Sequence, residues 1–103
     1  MGMMLTGRHV GAEEAKELGI VNEVVSQPEL MDTARRWAID IEACSPMSIR
    51  ATKQVAYQSL NESDLEKSMQ AQYSAVGDLL SSEDFVEGPV AFAEKRAPEW
   101  KGR

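Results

Sequence analysis

Few side chains in this sequence are equipped for bond-making chemistry, and their spacing is the first constraint on function. His9 is the only histidine and Cys44 the only cysteine. A histidine can shuttle a proton near neutral pH or ligate a metal, and a thiolate can act as nucleophile or ligand. A zinc site would need carboxylates to complete it, because one histidine and one cysteine fall short of the usual donor set. Cys44 falls on the apolar side of its segment, which predicts a buried small hydrophobe rather than a reactive thiol. His9 follows the loop-like stretch Leu5-Thr6-Gly7-Arg8 and reads as structural. No serine stands in a nucleophile-elbow pattern, and no glycine-rich phosphate loop is present. The acid pairs Glu13-Glu14 and Glu83-Asp84 each fall in the first turn of a predicted helix, where the helix dipole accounts for them. No residue is assigned a catalytic role, and none a metal.

The carboxy-terminal stretch is different. Lys95, Arg96, Lys101 and Arg103 lie within nine positions of a chain whose net charge is -6. Cations favour the C-terminal end of a helix, which is one explanation. A phosphate-bearing ligand is the other.

The elements that must position these groups are mainly helical. The 103 residues suffice for one small domain. With 43% hydrophobic residues, a core is expected but a thin one, leaving apolar surface for a partner to cover. The acidic balance, with a pI near 4.7, argues against nucleic-acid binding and against an anionic membrane surface. No apolar run approaches the roughly 20 residues that span a bilayer. Met1-Gly2-Met3-Met4-Leu5 is short, lacks a basic leader and is not read as a signal peptide. A lone cysteine precludes an internal disulfide and fits a reducing cytoplasm.

Ala12–Leu18 predicts a short helix stopped by Gly19. Ile20–Val25 is β-branched and reads as one short extended segment. Pro28 is suited to open the next helix, in which Leu30, Ala34, Trp37, Ile41 and Cys44 form one apolar stripe. Ser45-Pro46 punctuates again, as a cap followed by a helix-opening proline. A further helix is expected through Leu65, Met69, Tyr73, Val76 and Leu80. Ser82-Glu83-Asp84 starts the last one, which Pro89 should kink or restart. The fold class is therefore all-α in the main, an amphipathic helix bundle with one short extended segment. The division expected is residues 1–26 as a connecting segment and 27–103 as a helical domain.

Three stretches resemble the crotonase (enoyl-CoA hydratase/isomerase) family. Leu5-Thr6-Gly7-Arg8, Ala12-Glu13-Glu14-Ala15 and Gly19-Ile20-Val21-Asn22-Glu23-Val24-Val25 are similar to its "LTGR…AEEA…GLVxxVV" segment. Ser45-Pro46 with Thr52-Lys53 resembles its "SPxA…TK" helix opening. Ser82-Glu83-Asp84, Glu87-Gly88, Ala91-Phe92 and Glu94-Lys95-Arg96 resemble its closing "SEDxxEGxxAFxEKR". Order and spacing agree over nearly the whole chain. The tail from Glu87 to Arg103 is also similar to the carnitinyl-CoA dehydratase branch.

The resemblance implies a specific arrangement. In such enzymes this region follows a larger amino-terminal domain holding an oxyanion hole and acid/base carboxylates. That machinery polarises an acyl-CoA thioester for water addition, elimination or double-bond shift. None of those motifs matches this sequence, so these residues alone are expected to be inactive. No cofactor is implied beyond the coenzyme A that carries the substrate. The family's carboxy-terminal helices pack subunits into trimers, often paired into hexamers. Its "EKR" lysine tends to lie near the CoA phosphates of an adjacent subunit, and Lys95 matches that position. An aromatic residue from the preceding helix can also meet the CoA; here Val76 holds that place and Tyr73 lies one turn earlier. Lys101 is a further basic candidate. A free-standing helical oligomerisation module without catalysis is the alternative, and a CoA-binding module a third.

Overall fold

The structure is a computed structural model that describes residues 1–103. Helices follow one another along the chain: α1 (Gly2–Thr6), α2 (Ala12–Glu17), a 3-10 turn (Gln27–Glu29), α3 (Leu30–Glu42), α4 (Pro46–Ser59), α5 (Leu65–Gln70), α6 (Ser74–Leu80) and α7 (Glu83–Glu94). No strand forms, and Ile20–Val25 runs as an irregular connector. No helix is long and apolar enough to cross a membrane. The chain divides into two compact units, Met1–Arg36 and Trp37–Arg103.

The first unit contains no buried residue and is held by local polar contacts. Arg8 forks onto both carboxylate oxygens of Glu14, at 3.0 and 2.5 Å. Arg36 meets Glu23 at 2.5 Å. Ser26 and Glu29 cap one another in a reciprocal box, with Pro28 inside the opening turn. The expected loop around Leu5 is partly helix instead: α1 ends at Gly7, whose φ of 63° closes the turn in a conformation that suits glycine. Five residues were too few for a helical period to stand out.

The second unit contains the core, which is small. Met47 and Ala51 on α4 and Ala91 on α7 are its buried apolar residues, joined by the buried polar residues Ser45, Ser82 and Asp84. The α4 side chains Ala51, Thr52, Val55 and Ala56 line one groove with Val76 and Leu79 of α6. Much apolar surface stays uncovered: Phe92 is 86% exposed, Leu60 83%, Met69 79% and Leu65 74%. The stripe on α3 forms as its spacing predicts, yet Leu30, Trp37 and Ile41 are all at least 40% exposed. Cys44 is exposed too, against expectation. The periodicity places it on the apolar side, but that side of α3 stays largely exposed.

Two other expectations are corrected. Leu65–Leu80 is not one helix. The backbone turns extended at Ala71 (ψ 139°) and Tyr73 (ψ 116°), separating α5 from α6. The cause is a set of side-chain bonds that compete with the helix. The Tyr73 hydroxyl donates back to the Ser68 carbonyl at 2.9 Å. Gln54 of α4 accepts from the Ala75 amide at 2.8 Å and donates to Ser74 Oγ at 3.0 Å, so a neighbouring helix caps α6. Conversely, α7 does not restart at Pro89 but continues through it. The residue before it is Gly88, whose lack of a Cβ removes one of the clashes that proline imposes on its predecessor.

Candidate functional site

Residues 95–103 leave α7 and fold back along it, and three anchors hold them there. The first is Asp84, a carboxylate only 3% exposed in the first turn of α7. Its Oδ2 accepts from Ser45 Oγ at 2.7 Å, and its Oδ1 accepts from the amides of Lys101 at 2.7 Å and Gly102 at 3.1 Å. Burial pushes this carboxyl upward, but the Ser45 hydroxyl and the amides of Lys101, Gly102 and Met47 outweigh it and leave it below its ordinary value. The Glu83 amide adds a bond to the Arg103 carbonyl at 2.8 Å.

The second anchor is Trp100. Its Nε1 donates to the Ala43 carbonyl at 2.8 Å. Its ring lies against Gly88, where a Cβ would sit 3.4 Å from the nearest ring carbon. The glycine thus leaves the space into which the indole packs.

The third anchor is the pair Glu87 and Arg96. The guanidinium donates to both oxygens of Glu87, at 2.6 and 2.9 Å, and its Nε donates to Glu94 at 2.6 Å. The Glu99 amide also donates to Glu87, at 2.6 Å. The Arg96 guanidinium, then the Glu99 amide, hold the Glu87 carboxyl down from 4.5 to about 2. Glu87 and Glu94 in turn raise Arg96 above its already high ordinary value. With Glu83, Val86, Val90, Glu99 and Lys101, this pair lines a cleft of about 600 Å³.

Three of the four cations in the tail are therefore spoken for. Arg96 is held by Glu87 and Glu94, Lys101 lies 3.5 Å from Glu99, and Arg103 lies 3.1 Å from Glu83. Lys95 is exposed and has no ion pair. It is also the one non-glycine residue with a positive φ, at 55°, where it closes the C-terminus of α7. The Arg96 amide completes that closure by bonding the Ala91 carbonyl at 3.1 Å.

The residues singled out from the sequence are not gathered into one pocket of the chain. Lys95 lies at the C-terminal end of α7. Lys101 lies beside its N-terminal end, roughly 16 Å of helix away. Tyr73 stands just before α6, without a capping side-chain bond, and lines a separate cleft of about 490 Å³ with Gln72, Ser74 and Val76, its hydroxyl already engaged by Ser68. His9 is exposed in the first unit, and no cluster of three or more His, Cys, Asp or Glu side chains converges as a metal site. Sequence reasoning missed the roles of Asp84, Glu87 and Gln54. Asp84 read as an ordinary first-turn acid, and no local signal shows that the chain returns to it 17 residues later.

Comparison with known proteins places the whole chain. A model of the family described as "Enoyl-CoA hydratase/isomerase" matches residues 1–103. The carnitinyl-CoA dehydratase of Escherichia coli O157:H7 is 50% identical over 105 aligned positions, covering 98% of this chain and 40% of that protein. The carnitinyl-CoA dehydratase of Proteus mirabilis is 46% identical with the same coverage. Among solved structures, an enoyl-CoA hydratase from Mycobacterium tuberculosis superposes with a TM-score of 0.87 at 34% identity, over 100% of this chain and 40% of that one. One from Bacillus anthracis gives 0.87 at 33% identity, over 99% and 39%. The chain thus spans about 40% of the length of the relatives it matches.

Proposed function

The chain belongs to the enoyl-CoA hydratase/isomerase family, and on that premise we propose that it forms the carboxy-terminal helical part of an enzyme acting on acyl-CoA thioesters, with Lys95 as its contact to the coenzyme A phosphates. The reaction is water addition to, or elimination across, the C2–C3 bond, or a shift of that double bond. The oxyanion hole and the acid/base carboxylates belong to an amino-terminal domain. The residues described here contribute helices for packing and a cationic edge for the ligand. In that part, residues 1–26 serve as a connecting segment and 27–103 as the helical domain, whereas the two compact units divide within α3, after Arg36.

The observation that carries this reading is the charge pattern of the tail. Of its four cations, Lys95 alone has no carboxylate partner. An ammonium free of internal partners can meet a phosphate without first breaking an ion pair. Lys101 is secondary, because Glu99 competes for it at 3.5 Å. Tyr73 offers an aromatic face but no free hydroxyl, which limits it to stacking or apolar contact. The uncovered apolar residues of α3 and α5 suit packing against other subunits in a trimer or hexamer, and against the amino-terminal domain. A cytoplasmic site of action accords with the single cysteine.

The test uses the full-length product of the natural gene. Its intact mass should be two to three times the 11.4 kDa of these residues, and it should consume a trans-2-enoyl-CoA or its hydrated counterpart. A product of 11.4 kDa with no such activity would leave a helical oligomerisation module instead.

A further inference from the structure

Lys95 sits on a backbone that its own side chain does not favour. A left-handed residue with a Cβ is held there only when its surroundings impose the conformation. Those surroundings are visible. Arg96, the next residue, is pinned on one side to Glu94 and on the other to both oxygens of Glu87, two helical turns back on α7. The same Glu87 oxygen that takes Arg96 Nη1 also takes the Glu99 amide, so one carboxylate fixes the chain on both sides of the Ala97-Pro98 turn. Glu87 is 19% exposed at its side chain, the most sheltered carboxylate in the tail's ion pairs. The arrangement has a second effect. Glu87 and Glu94 are the acids close to Lys95 along α7; Arg96 takes both oxygens of Glu87 and one of Glu94, and Lys95 is left without an ion pair.

Resting on the reading of Lys95 given above, we infer that Glu87 is a positioning residue for coenzyme A binding, acting through Arg96 to fix the turn that presents Lys95 and to keep neighbouring acids off it. Glu87 does not touch the ligand. Its negative charge by itself would repel a phosphate, so the geometric role and the bare electrostatic role predict opposite signs. If Glu87 positions Lys95, removing it weakens binding. If Glu87 is only a nearby negative charge, removing it tightens binding.

The experiment compares the full-length protein with Glu87→Gln, Lys95→Ala and the double variant, by calorimetric titration at physiological salt. The probes are coenzyme A and pantetheine, which lacks the nucleotide phosphates. Lys95→Ala should weaken coenzyme A by several-fold, and Glu87→Gln by about 3-fold or more, on the scale of an exposed ion pair. The double variant should be no weaker than Lys95→Ala, and pantetheine affinity should not change in any of them. Unchanged or tighter coenzyme A binding in Glu87→Gln, with Lys95→Ala weakened, overturns the positioning role alone. Unchanged binding in Lys95→Ala overturns the reading beneath it. Equal losses for both probes would show that Glu87 only supports the fold. If Glu87→Gln does not fold, Arg96→Lys serves instead. It keeps a cation but cannot hold Glu94 and both Glu87 oxygens at once, and it should show the same selective loss.

Discussion

Ser45 Oγ donates to Asp84 Oδ2 at 2.7 Å, joining the residue that caps α4 to a carboxylate in the first turn of α7 across 39 positions of sequence. The same hydroxyl accepts from the Ser48 amide at 3.3 Å. One side chain thus starts a helix and ties it to the anchor of the tail.

This double role makes Ser45 worth more than a cap. A serine or aspartate cap contributes about 1 kcal/mol. Ser45→Ala should exceed that, because it also strips a buried carboxylate of a donor. Asp64→Ala, which removes the cap of α5 alone, should cost less. Chemical denaturation of the two variants measures the difference, and equal losses would contradict a linking role for Ser45.

Glu87 makes stability depend on acid. Its carboxyl is depressed in the folded chain, from 4.5 to about 2. A depressed acid adds stability in full above its unfolded value and loses it as pH falls toward the folded one. Thermal melting should therefore drop between about pH 4.5 and pH 2. Glu87→Gln should flatten that drop in part, since Asp84 and Glu14 are also lowered and remain. An unchanged acid slope in the variant would remove Glu87 from the account.

Gly88 faces the Trp100 ring across 3.4 Å at the position of a missing Cβ. Alanine there meets the ring at ordinary contact distance, but its Cβ restores the clash with Pro89 that glycine avoids, which offsets the helix propensity of up to about 1 kcal/mol that alanine would otherwise add. Valine does not fit, and should lift the indole from α7 and break its bond to Ala43. Trp100 fluorescence should stay close to native in Gly88→Ala and shift red in Gly88→Val. A red shift in both would mean the ring tolerates no Cβ at all.

The left-handed Lys95 predicts a trade between stability and binding. Glycine at that position relieves roughly 1 kcal/mol of backbone strain. Lys95→Gly should melt higher than Lys95→Ala, while both weaken coenzyme A alike. A melting temperature for the glycine variant at or below the alanine variant would show that the turn carries no strain.

Leu65 and Met69, 74% and 79% exposed on α5, line one open groove. If subunits cover it, Met69→Lys in the full-length protein should shift sedimentation toward smaller species. An unchanged sedimentation profile would place the interface elsewhere.

Much of the helical order was legible because it rests on local chemistry. Ser45-Pro46 and Ser82-Glu83-Asp84 start helices where capping rules put them. What was not legible depends on distant partners. The break before α6 is imposed by Gln54, some twenty residues away on α4. Cys44 followed an apolar period correctly but was read as buried, because a periodic stripe shows what should be covered and not whether the chain covers it. Lys95 was singled out by resemblance; its lack of a partner emerges only when Glu83, Glu87, Glu94 and Glu99 are each seen to be engaged.

The most direct test of the account is the dissociation constant of coenzyme A for the full-length protein, with and without Lys95→Ala. A contact between Lys95 and the phosphates should give a several-fold weakening for coenzyme A, no change for pantetheine, and a much smaller effect from Arg103→Ala, whose cation already pairs with Glu83. Equal affinity in the presence and absence of the Lys95 ammonium would contradict it.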